Sequence, residues 1–170
     1  MTPRISTTLA LLALTVWIGG LVALGAVAAP IVFAAVPFAL AADAMTAVFA
    51  RFDKIAMAAA AVVLATEAVR ARAGNRVTVG DAVRIVVSLV LAGLAVVEGV
   101  WITPKIANLH AAGAIRGVGE AGESLATAHA LAEQLGKAQV LLAIVLIAVH
   151  VGTLHRKGDR ARSTAEPLTD

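Results

Sequence analysis

The sequence predicts an all-α integral membrane protein: a four-transmembrane-helix bundle with short amphipathic helices in the outer connections. Three observations predict it. Hydrophobic residues make up 60% of the 170 residues and charged residues 15%, whereas a soluble domain is about half apolar and a quarter charged. The apolar residues gather in long runs instead of alternating with polar ones. Arg and Lys stand at the ends of those runs, where they act as topology signals.

The first run, residues 9–33, supplies the roughly 20 residues that a ~30 Å hydrocarbon layer requires. Ala26-Val27-Ala28 has the form of a signal-peptidase site, but the run before it exceeds a usual leader core of about 7–15 residues, so an uncleaved span is expected. Pro30 and Pro37 mark its end, because proline stops or bends a helix. Met45, Val48, Phe49 and Phe52 then recur at i, i+3, i+4 and i+7, which predicts a short amphipathic helix on the membrane surface. Residues 54–70 form the second span, with Lys54 and Arg70 reaching toward the headgroups. Gly74, Asn75 and Gly80 break the chain after it. The third span covers residues 83–103 and is stopped by Pro104. Two short helices broken around Gly117 to Gly122 are expected next, then a fourth span at 135–154. Residues 1–155 thus read as one transmembrane domain, and 156–170 as a polar tail expected to be disordered.

Nine cations (Arg4, Arg70, Arg72, Arg76, Arg84, Arg156, Lys157, Arg160 and Arg162) fall on one side of this arrangement and five (Arg51, Lys54, Lys105, Arg116 and Lys137) on the other. An excess of Lys and Arg marks the cytoplasmic side, so both termini are expected inside, in a bacterial-type inner (plasma) membrane. The formal charge of +3 is therefore read as topology and not as a nucleic-acid footprint. The chain has no Cys, which excludes disulfides and thiolate metal sites. It also has no phosphate-binding loop, nucleophile–base motif or catalytic carboxylate pair, so no enzyme activity is expected.

One stretch has the character of a signature. Trp17-x-Gly19-Gly20, followed after a short interval by Ala29-Pro30-x-x-Phe33, resembles the opening of a family of four-span membrane proteins, the domain of unknown function 4149, related to the eukaryotic transmembrane protein 205. Phe49 to Lys54, Pro104-Lys105 and His129 extend the similarity over about residues 9–155. Where the family carries Ser and Asn within two turns of that His, this chain has Ala132 and Gly136. The resemblance implies the fold and a membrane location, and no molecular activity. From the residues alone, Gly19 and Gly20 allow another helix backbone to approach closely. Trp17 near mid-span packs against a neighbouring helix, and Trp101 sits where an interfacial belt residue belongs.

Ionisable residues inside a membrane are costly, about +2.5–3.5 kcal/mol for Asp at a helix centre. Glu98 is expected roughly 9 Å inside the end of the third span, with Lys54, Arg51 or His129 as its partner. Glu67 precedes Arg70 by three residues, which suits an intrahelical pair, and His150 at the same depth can share a proton with it. His129 and Glu133 stand one turn apart on one helix face, and with His110 nearby they form a weak candidate metal set. Haem and other cofactors are not expected: only His150 lies in a span, and haem usually needs axial His from facing helices. Three functions are open, in this order. The first is a structural or interaction bundle that self-assembles or binds a membrane partner through small-residue faces at Gly19, Gly20, Gly25, Gly93 and Gly99. The second is a small-solute or ion permease using Glu98, working as a dimer. The third is a metal-binding membrane protein.

Overall fold

A computed structural model describes the backbone of residues 3–73 and 78–163, and the side chains of residues 5–73 and 78–153. The described residues form helices and turns and no strand. The helices are α1 (Pro3–Val22), α2 (Ala29–Ala35), α3 (Phe38–Ala73), α4 (Val79–Val97), α5 (Thr103–Ala111) and α6 (Gly119–Ser163). π-Helical turns at Ala23–Ala28 and Glu98–Ile102 join α1 to α2 and α4 to α5 without a break. Three rods are long and apolar enough to cross a membrane: Ile5–Ala35, Val79–Ala111 and Gly119–Thr153.

The prolines do not end the helices. Pro30 and Pro104 each occupy the first turn of the helix that follows a π turn. Ala29 donates its N–H to the Leu24 carbonyl and Thr103 donates to Glu98, each five residues back. The wider turn relieves the clash a proline ring would have with the carbonyl four residues before it. The third span therefore runs on past Pro104 instead of stopping there. The chain does turn at Val36-Pro37. Val36 is extended at φ −123°, ψ 145°, as the residue before a proline prefers. The Phe33 and Phe38 rings meet across this turn with centroids 5.5 Å apart.

The short helices expected in the connections are absorbed into long ones. Residues 43–52 and the expected second span are one helix of 36 residues, α3, because neither Gly nor Pro interrupts Phe38 to Ala73. This rod is not among the three apolar candidates. Its uncharged run, 55–66 between Lys54 and Glu67, is 12 residues, or about 18 Å. Likewise the helix expected before the fourth span is the start of the 45-residue α6, which continues to Ser163, beyond the expected end at 154. Gly74, Asn75, Arg76 and tail residues 164–170 lie outside the described residues.

The break between α5 and α6 spans residues 112–118, ahead of the expected Gly117–Gly122. Gly113 has φ +75°, and it donates its N–H to His110 while Ala114 donates to Leu109. This is a Schellman C-cap, which needs a left-handed residue that Gly supplies at least cost. At the start of α4, Thr78 and Asp81 form a capping box.

α3 packs against α1 and α4, and α6 packs against the same two helices. Their shared core holds Leu14, Trp17, Phe52, Ala56, Ala60, Val63, Leu91, Ala95, Ala143 and Leu146. A smaller core of Ile106, Leu125 and Ala128 ties α5 to α6. Gly20 lies against the Phe52 ring of α3, where a Cβ would overlap it, while nothing stands within 4 Å of a Cβ at Gly19, Gly25 or Gly93. The close approach at Gly20 is thus to an aromatic ring and not to another backbone, and Gly19 has no close neighbour.

Gly20→Leu is therefore expected to lower stability by about 1–3 kcal/mol, the usual cost of overpacking. Gly19→Leu should stay within about 0.5 kcal/mol of the parent, as an open surface position does. Unfolding of both variants in one detergent checks this.

Candidate functional site

Each rod carries a buried stripe at helical spacing, with a polar side chain at both ends. On α1 it runs from Thr7 through Ala10 and Leu14 to Trp17; on α3 from Asp53 through Ala56, Ala60 and Val63 to Glu67. On α4 it starts at Arg84 and passes Ser88, Leu91 and Ala95 to Glu98, at the start of the π turn. On α6 it runs from Gln139 through Ala143 and Leu146 to His150. Two polar layers thus bracket an Ala- and Leu-rich middle. Asp53 and Glu67 are 14 residues apart, about 21 Å along the helix.

In one layer Glu67 is the hub. Its Oε2 accepts from Arg84 Nε at 2.5 Å, and its Oε1 accepts from Arg70 Nη1 at 3.3 Å. Arg84 Nη2 also donates to Asp81 at 2.9 Å, and Arg70 Nη2 donates to the Thr7 hydroxyl at 2.8 Å. His150 is fully buried, with Nε2 3.4 Å from Glu67 Oε1. The Glu67–Arg70 pair expected from spacing is present, and the principal partner, Arg84, comes from the neighbouring helix. Two guanidiniums face two carboxylates here, so the layer is balanced in charge.

The other layer is not balanced. Gln139, 2% exposed, accepts a hydrogen bond from the Trp17 indole N–H at 3.0 Å and donates its own N–H to Glu98. Asp53, 7% exposed, lies beside the Thr103 side chain and close enough for its charge to act on Glu98. Its Oδ2 is buried with no hydrogen-bond partner. Gly99 eases the approach of α3 to the π turn, since a Cβ there would stand 3.1 Å from the Asp53 Cβ, a tight contact. Among the described residues no ion pair involves Asp53 or Glu98. Lys54 and Arg51, the expected partners of Glu98, are exposed. They sit on the opposite side of α3 from Phe52 and Asp53, which face inward. His129 turns to His110 instead, with Nε2 to Nε2 3.4 Å.

Asp53 and Gln139 were not singled out from sequence. Asp53 reads as part of a charged surface turn in Arg51-Phe52-Asp53-Lys54, and Gln139 as a neutral interruption of an apolar run. Extending the α3 stripe back from Glu67 in steps of three and four reaches Asp53, and that was the signal available. Of the candidate metal set, the structure brings His110 and His129 together. Glu133 is exposed and pairs with Lys137 at 2.6 Å. No group of three or more metal-ligating side chains occurs among the described residues. Pro30 and Trp101 are exposed.

The family model for the domain of unknown function DUF4149 matches residues 12–114. The chain belongs to this family. A search of curated proteins and of solved structures finds no match. The matched stretch carries Trp17, Asp53, Glu67, Arg84 and Glu98, while Gln139 and His150 lie on α6 beyond it.

Breaking the balanced layer should be expensive. Arg84→Met leaves Glu67 short of its closest partner, and losing one member of a buried pair costs about 3–5 kcal/mol. Glu67→Met combined with Arg84→Met should recover part of that loss, because removing both charges often costs little and Arg70 lies nearer the surface. Thermal unfolding of the single and double variants measures the recovery.

Proposed function

We propose that this is a small integral membrane protein that binds a proton or small inorganic cation between Asp53 and Glu98 and moves it across the bilayer. The observation that carries this reading is the buried Asp53 Oδ2, without a hydrogen-bond partner, on a side chain that stands against Gly99 in the π turn that begins at Glu98. Two carboxylates in a low-dielectric interior need a neutralising charge, and no side chain supplies one among the described residues. The structural reading that ranks first from sequence accounts for Phe52 against Gly20, but leaves this surplus of negative charge without a purpose. An intramembrane ionisable group marks a functional site by default.

The same reading makes α3 a fourth transmembrane helix, in which Glu67 and Arg70 are paired inside the bundle, while Arg51 and Lys54 are exposed and long enough to reach toward the headgroups. The nine-to-five distribution of cations supports both termini in the cytoplasm of a bacterial-type cell, with the protein in the inner membrane. Four spans are few for a pathway, so a homo-oligomer is the working unit. Gly25 and Gly93, with nothing within 4 Å of a Cβ, are small-residue positions open to a second copy. The role is binding and translocation, with no covalent chemistry.

Purified protein in liposomes, loaded with a pH-sensitive dye and challenged with imposed gradients of protons, Na+ or K+, tests the proposal. The parent should dissipate one of these gradients, and Asp53→Asn or Glu98→Gln should reduce the rate at least tenfold while stability holds. Absence of flux in the parent, or flux in both variants equal to the parent's, contradicts it.

A further inference from the structure

His110 and His129 form a second site, distinct from the carboxylate pair. His110 stands in the last turn of α5, three residues before the left-handed Gly113 that caps it. His129 stands on α6 next to Ala128, one of the three residues of the small core that fixes α5 against α6. Both imidazoles are half-buried, with their Nε2 atoms 3.4 Å apart. Their ring centroids are 5.7 Å apart. The difference of 2.3 Å shows that each Nε2 lies on the side of its ring nearest the other. At 3.4 Å the contact is long for an N–H hydrogen bond, and the ring tautomers set which nitrogen donates; with both rings protonated on Nδ1, each Nε2 offers a lone pair to a ligand.

We infer that His110 and His129 together bind a divalent transition-metal ion of the Zn2+ or Cu2+ kind. Two imidazole nitrogens at about 2.0–2.1 Å from a tetrahedral ion stand roughly 3.3 Å apart, close to the separation found here. Neutral imidazole is a common ligand for such ions. Glu133 is four residues after His129 on the same helix face, and its pair with Lys137 is exposed on both sides, 62% and 61%. An exposed pair of this kind holds weakly, so Glu133 is free to swing over as a third ligand, with water completing the shell. Arg116 acts electrostatically on His129 from the α5–α6 loop and opposes a bound cation, which limits the affinity. The bound ion would staple α5 to α6 at the end of the bundle remote from Glu67.

The test is titration of ZnCl2 into the protein in detergent, purified through a tag without histidine. Isothermal calorimetry gives stoichiometry and affinity, and Co2+ substitution gives the visible absorption bands of nitrogen ligation. The parent should bind one ion per chain and gain thermal stability. His110→Gln and His129→Gln should each weaken binding at least tenfold, Glu133→Gln by less, and Arg116→Ala should tighten it. His155→Gln, Asp53→Asn and Glu98→Gln should leave it unchanged, which separates this site from the proposed translocation site. Metal-free unfolding temperatures equal to the parent's show that the His variants are folded; should one of them be lost to misfolding, the other and Arg116→Ala decide. No saturable Zn2+ binding below millimolar concentration, or binding that survives His129→Gln and disappears in His155→Gln or Asp53→Asn, would overturn the inference.

Discussion

The side-chain amide of Gln139 joins three rods at one point. It accepts from Trp17 on α1 and donates to Glu98 at the start of the π turn after α4, and it does so 2% exposed. Asp53 of α3 stands against the same turn at Gly99. A bundle built mainly from Ala, Val and Leu has little to fix the rotation of its helices, because lipid tails are as apolar as the helix faces. A buried amide with both ends engaged allows one register, since rotation of any member strands a donor or an acceptor at a cost of about 1–3 kcal/mol. The Gln139 contact therefore sets the level of the polar layer that holds Asp53 and Glu98. The Ala stripe of α3 and the Leu residues of α1, α4 and α6 fill the space between it and the Glu67 layer.

The π turns serve the same constraint. Through an α-helical turn Pro104 would collide with a carbonyl one turn back. By reaching five residues back from Thr103 to Glu98, the helix continues as α5 and keeps Glu98 in the wall of the bundle. The parallel arrangement ahead of Pro30 carries the first rod to Ala35. Sequence motifs that look like stops thus lie within continuous, membrane-length rods. The two polar layers differ in charge balance: around Glu67 opposite charges pair, while around Asp53 they do not. The first arrangement favours a fixed structure and the second an exchangeable partner.

Much of the fold was legible from local chemistry. The apolar runs, the family signature at Trp17 to Phe33, and the Glu67–Arg70 spacing all depend on residues close together in the chain. What could not be read depends on pairing between rods. The spacing of Arg84 and Glu67 carries no hint that they meet. Height alone pairs Glu98 with Lys54, but height does not specify which side of α3 faces inward; the α3 stripe does, and it points to Asp53. The connections differ from expectation because a proline or glycine breaks a helix only in the right local geometry. Pro104 follows a π turn, while Gly113 breaks the chain because its left-handed conformation closes a C-cap.

The central claim is that Gln139 and Glu98 act as one unit in the bundle interior. A double-mutant cycle measures it directly. The variants Gln139→Leu, Glu98→Leu and their combination are unfolded in the same mixed micelles, and the coupling energy is read from the departure from additivity. The account predicts coupling of about 1 kcal/mol or more, because each single change strands the other partner in an apolar interior. Additive losses, within about 0.5 kcal/mol, would show that the two side chains do not depend on one another and would contradict it.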